Sequence, residues 1–217
     1  DGFCFDVTAI EIVFSPWSLL KFFSSPIRGL KDYWFESGGN PSVLLNLLHT
    51  SSFRNPEEYG KDQTLPLNVL RNSTDLNALT DVALLTQAGY LTIKTIKYGT
   101  TVFVGYPNKE VRRAMAQLYM EQLLDGRVAG QVGAGPIDQV LSEDGPESLF
   151  HILNRLFLSI DYHRFLVRDE FSVRAFVQIY FVAAGLDPIV KRRNSHGRSN
   201  LEVGVANMNW ILEFQIS

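Results

Sequence analysis

Cysteine is nearly absent. Cys4 stands alone among 217 residues, which excludes an internal disulfide framework and any multi-cysteine zinc site, and fits a reducing compartment. The cytoplasm is the expected location. Histidine is scarce, and His49, His151, His163 and His196 are scattered without metal-ligand spacing. Neither sign of charge dominates: 20 Lys and Arg face 23 Asp and Glu, a formal net charge of -3. The chain as a whole therefore exerts no general pull on nucleic acid or on an anionic membrane, and any such contact has to be local. Long apolar runs are missing too. Stretches such as Phe176 to Leu186 fall short of the roughly 20 residues needed to span a bilayer and contain Gln178, so no membrane partner is expected. No G-x-x-x-x-G-K-[ST] loop occurs, so nothing cradles a nucleotide in the P-loop manner. Gly133-Ala134-Gly135 lacks the further glycine and the preceding strand, and reads as flexible linker. No serine sits in a nucleophile-elbow setting. Hydrolase-triad and zinc chemistry have no support.

What is present is an ordinary globular composition, 46% hydrophobic and 20% charged, enough for one large or two small domains. Ser15 and Pro16 read as N-cap and first residue of a helix over Trp17 to Phe23. Ser42 to Leu48 reads as a second helix, after a turn over Ser37 to Pro41, and the polar stretch Thr50 to Thr64 as a surface loop. A clearer pattern follows: a helix from Asn77 to Ala88 stopped by Gly89, two alternating strands from Tyr90 to Lys97 and Thr101 to Tyr106, then a helix capped by Asn108 and running to about Leu124. Helix, hairpin, helix is the order of a winged-helix C-terminal portion. Asp125 to Gly145, glycine-rich with Pro136, is the linker candidate. Two helices are then predicted from Pro146 to Leu158 and from Asp169 to Ala184, followed by strands over Ile189 to Arg193, Ser199 to Val205 and, after a turn at Asn207, the final segment. The expected class is mixed α/β. The chain opens at Asp1-Gly2-Phe3 without methionine and stops within the apolar alternation Trp210 to Ser217, so both ends are expected to be cuts in a longer chain.

The strongest chemical pattern lies between Gly197 and Gln215. Gly197 to Glu202, a hairpin through Asn207, and Ile211-Leu212-Glu213-Phe214-Gln215 have the outline of a PD-(D/E)XK metal site, in which an acid on one strand and E-x-K on the next face a common cleft. A hard Mg²⁺ ion wants carboxylate oxygens, and the lysine steadies the attacking water or the phosphate charge that grows in the transition state. Strand alternation puts Glu213 and Gln215 on one face, and Leu212, Phe214 and Ile216 on the other. Glu202 shares the face of Asn200 and is the candidate second carboxylate. Equally, Glu202 and Glu213 read as exposed strand residues with no ligand.

Five blocks give the resemblance its reach: Asp1 to Phe5, Phe14 to Leu20, Tyr33 to Pro41, Leu85 to Ile93, and Gly105 to Val111. In order and spacing they resemble the bacterial AAA-ATPase-like proteins that end in a PD-(D/E)XK nuclease-superfamily domain, across nearly the whole chain. The resemblance implies an ATPase lobe upstream of Asp1, which would hold ATP and is missing here as a partner. Residues 1–124 would be the C-terminal part of the ATPase-like region, with the winged helix at about 77–124. Residues 125–145 would be the linker and 146–217 the start of an incomplete nuclease-type domain. Carried over residue by residue, Asn200 stands where the family has Asp, Glu213 is kept, Gln215 stands where it has Lys, and Glu170 occupies an often acidic position on the preceding helix. Mg²⁺ is implied only at an intact site.

Two further features carry alternatives. Trp17, Tyr33, Trp34 and Phe35 read as buried packing in preference to a base-stacking surface. Lys191, Arg192, Arg193 and Arg198 form the one concentrated basic segment, beside the would-be metal site, and read either as a solvated turn or as a phosphate-contacting edge. The expected role is a DNA-associated binding or scaffolding unit with a degenerate nuclease site. The alternatives are a protein-recognition module without nucleic acid and an active metal nuclease using Glu202, Glu213 and Glu170.

Overall fold

The computed structural model describes residues 2–4, 6, 8–25, 54–61, 63–71, 80–134, 136–162, 167–191 and 200–215. The protein is of mixed α/β class, and its described residues form two three-stranded antiparallel sheets and a set of helices. It divides into two compact units, Asp1–Ala114 and Met115–Ser217.

In the first unit, α1 spans Pro16–Ser24, with the Ser15 hydroxyl accepting from the Ser18 N–H and Pro16 at the first helical position. α2 spans Asp81–Gln87, where Thr80 caps by accepting from the Ala83 N–H. Gly89 ends this segment with a φ of 80°, a left-handed conformation that glycine adopts without steric cost. The sheet has the order β1-β3-β2, from Gln63–Pro66, Thr101–Gly105 and Thr92–Lys97. The expected hairpin is present: β2 and β3 pair antiparallel, with a register shift between Ile93 and Thr95. Leu85, Leu91, Ile93, Val102 and Val104 are buried, and Leu84 is half-buried. Thr92 ties the N-terminal segment to this sheet. Its hydroxyl accepts from the Cys4 N–H at 2.6 Å and donates to the Cys4 carbonyl at 2.9 Å.

Two expectations in this unit are corrected. Of the stretch read as a surface loop, 54–61 and 63–64 are described, and they carry a helical turn, Pro56–Tyr59, and the start of β1. Pro56 and Tyr59 are buried. The Tyr59 hydroxyl donates to Asp81 Oδ2 at 2.7 Å, the Tyr106 hydroxyl donates to the Pro56 carbonyl at 2.7 Å, and Arg112 donates twice to the Glu57 carboxylate. Polar neighbours disguised an aromatic anchor. Trp17, expected to be buried, is 41% exposed with Lys21 Nζ 5.1 Å from its ring centroid. α1 is apolar around much of its circumference and buries none of its residues. Tyr33, Trp34 and Phe35, and the predicted helix Ser42 to Leu48, lie outside the described residues.

α3 spans Lys109–Leu123, with the Asn108 side chain accepting from the Val111 N–H, and the division between the units falls within it. α4 spans Pro146–Ser159 and α5 spans Glu170–Ala183. The second sheet has the order β4-β5-β6, from Ile189–Lys191, Asn200–Val205 and Met208–Glu213. One apolar cluster joins Leu123 and Leu124 to Leu149, Leu153 and Leu156 of α4, Val177 and Phe181 of α5, and Leu201, Val203 and Val205 of β5.

The expected linker 125–145 is corrected by this cluster, for Ala134, Ile137, Val140 and Leu141 belong to it. A 3₁₀ turn over Ala129–Val132, a helical turn over Ile137–Gln139 and a π turn over Val140–Asp144 build the segment. One of its glycines is structural. Gly133 has a φ of 80°, and a Cβ there would lie 2.6 Å from Arg155 Nη1; the same guanidinium donates to the Gly133 carbonyl at 3.2 Å. The compact units consequently divide at 114/115, and not across residues 125–145.

Candidate functional site

The β4-β5-β6 sheet gathers most of the singled-out residues. Alternation along β5 turns Leu201, Val203 and Val205 inward, where burial of branched side chains fixes the register. The two-residue turn Ala206-Asn207, with Val205 paired to Met208, sends β6 back along β5. Trp210, Leu212 and Phe214 pack against the core cluster, and the Trp210 indole N–H donates to the Leu141 carbonyl at 3.0 Å. Ile211, Glu213 and Gln215 therefore lie on the outward side, all three exposed.

The ladder sets two rows across the three strands. Lys191, Asn200 and Glu213 are register partners in one, and Ile189, Glu202 and Ile211 in the other. Positions 200 and 213, the aspartate and glutamate positions of the resembled motif, thus stand directly opposite one another. Glu202 is diagonal to Glu213, at a spacing of roughly 7–8 Å between Cα atoms, so two glutamate side chains can converge over the β5-β6 pair. Gln215 lies past the end of β6. Glu170 is in the first turn of α5, after the N-cap Asp169. The Asp169 carboxyl is held below its ordinary value by the hydroxyl of Ser172, and then by its N–H.

The donor set does not fit an ordinary Mg²⁺ site. Among the described residues no three His, Cys, Asp or Glu side chains gather as metal ligands, so Glu170 does not join Glu202 and Glu213 in one set. Asn200 and Gln215 bring amides, neutral groups in place of a carboxylate ligand and a lysine cation. Lys191 closes β4, while Arg192, Arg193 and Arg198 lie outside the described residues.

One residue of this region escaped the sequence reading. Arg174 is buried in α5, its guanidinium 4.7 Å from the Phe171 ring centroid. The signal was available, since Arg174 is the one charged residue in that helix after Glu170, and a charge inside an apolar helix is unusual enough to mark.

Among known proteins, the chain is similar to one described as "Uncharacterized protein in vnfD 5'region" from Azotobacter chroococcum mcd 1. The two are 28% identical over 214 residues, which is 95% of this chain and 40% of that protein. The chain therefore spans about two fifths of this relative's length. No family model and no solved structure matches. No helix among the described residues is long and apolar enough to cross a membrane.

Proposed function

We propose that this chain is part of a bacterial, cytoplasmic AAA-ATPase-like protein whose C-terminal domain is of PD-(D/E)XK type, and that it acts there as a DNA-associated binding or scaffolding unit. In this reading the nuclease-type site has lost its cutting chemistry, and ATP belongs to a separate lobe. The observation that supports it is the strand register: Asn200 lies opposite Glu213, so the two motif positions meet across adjacent strands with one of their charges removed. Glu213 would remain as a single acid beside Glu202. The basic segment Lys191 to Arg198 would serve as the phosphate-contacting edge.

The test is plasmid nicking with Mg²⁺ or Mn²⁺, comparing the natural chain with the double reversion Asn200→Asp and Gln215→Lys. Each missing electrostatic group is worth on the order of 10²-fold in rate, so the natural chain should not cut detectably. Metal-dependent cutting that disappears with Glu213→Ala would refute the degenerate site and assign the chemistry to Glu202 and Glu213.

A protein-recognition role is the second reading, and one observation favours it. Ile189 and Ile211, 63% and 58% exposed, flank Glu202 on the outer face, which is an apolar footing that a phosphate backbone does not need. Reversing the charges of Lys191, Arg192, Arg193 and Arg198 separates the two, because it abolishes DNA binding and leaves an apolar protein contact intact.

A further inference from the structure

The tip of the β2-β3 hairpin carries a side chain that the fold does not explain. Tyr98 and Gly99 both have positive φ, 57° and 65°, and the Thr100 N–H closes the turn on the Lys97 carbonyl at 3.4 Å. A turn with positive φ at both central positions favours Asn-Gly or Asp-Gly, and penalises a bulky side chain at the first. The tyrosine gains nothing from packing in return, since it is 93% exposed. Lys97 precedes it with Nζ held 4.7 Å from the Phe103 ring centroid, whereas Lys94 lies along Gly105 at the other end of the hairpin. From Val82 to Lys109 the sequence contains three lysines and no acidic residue, in a chain whose net charge is negative. A strained, solvent-facing aromatic beside a cation is what a stacking site for bases uses, with the ring taking a base and the ammonium group a phosphate.

We propose that this hairpin tip binds single-stranded nucleic acid, with Tyr98 stacked on a base and Lys97 on a flanking phosphate. The inference rests on the nucleic-acid reading above and narrows it to an unpaired segment. It uses a sheet other than the one carrying Glu213, so the two assignments fail separately.

Fluorescence anisotropy on the full chain tests it, with a fluorescein-labelled oligothymidine of roughly twenty nucleotides and a mixed-sequence duplex as probes. Tyr98→Asn suits the turn better and should leave the melting temperature unchanged or raised, while weakening oligothymidine binding about 5- to 100-fold. Tyr98→Phe keeps the ring and should bind within about twofold of the parent. Lys97→Gln should weaken binding and reduce the steepness of its salt dependence. Unchanged affinity in Tyr98→Asn overturns the proposal, as does equal loss in Tyr98→Phe, which would assign the contact to the hydroxyl. Duplex binding that survives Tyr98→Asn without any oligothymidine binding by the parent refutes the tip alone. A parent that binds neither probe refutes this site and the DNA-associated role together.

Discussion

Single side chains hold the first unit's irregular parts in place, and their energetics are unequal. Asp81 accepts from Tyr59, from the Val82 N–H and twice from Arg54. Burial pulls its carboxyl upward, but the hydrogen bonds from Arg54, Tyr59 and Val82, with the Arg54 charge, outweigh that and hold it below its ordinary value. Arg54 is 48% exposed, so its ion pair is screened and Arg54→Ala should cost under about 1 kcal/mol. Asp81→Asn should cost about 1–3 kcal/mol at neutral pH, because it also disturbs the buried Tyr59 hydroxyl. The folded-state value is depressed, so this stabilisation is full above the unfolded value near 3.9 and fades as pH falls through the folded one. Urea midpoints of parent and variant should therefore converge in acid below about pH 4. Thr92 is the sharper case. Thr92→Val leaves the buried Cys4 N–H without its acceptor and should cost about 1–3 kcal/mol in urea titration. Thr92→Ser keeps both bonds and should cost only about 1 kcal/mol for the lost methyl group.

Elements with their own periodicity and caps were legible in the sequence. Ser15-Pro16, Asn108 and Asp169 each announced a helix start and Gly89 a stop, whereas the helix expected from Asn77 is capped at Thr80 and begins at Asp81. The β5-β6 hairpin followed from alternation around a short turn. What stayed hidden were segments whose order comes from distant partners. β1 is four residues long and is held by its ladder to β3, a strand that comes only at Thr101–Gly105 in the chain. Residues 125–145 read as a linker because Gly126, Gly130, Gly133 and Gly145 outweighed the apolar spacing of Ala134, Ile137, Val140 and Leu141. Of the candidate site, sequence alternation gave the two faces of β6, whereas the pairing of Asn200 with Glu213 needed the register. Because Leu141 lies in the core cluster, Leu141→Ala should cost about 2–5 kcal/mol. A linker position would tolerate it within about 0.5 kcal/mol. Thermal denaturation of that one variant decides between them.

At the scale of the molecule, α3 is the shared piece. Its residues Val111 and Ala114 are buried in the part belonging to the first unit, and Ala116, Met120 and Leu123 join the cluster of the second. Met115→Pro would remove a helical hydrogen bond midway along α3 and should cost about 3 kcal/mol or more. Both units should lose stability in circular-dichroism melts, whereas Met115→Leu should cost under about 1.5 kcal/mol. The N-terminal strap offers a way to watch smaller excursions. Because Cys4 is the sole thiol in the chain and is buried where Thr92 clasps its backbone, a thiol-reactive reagent can reach it only when that clasp opens. The rate of labelling under native conditions then acts as a clock for local opening, and Thr92→Val should make it run faster without any denaturant present.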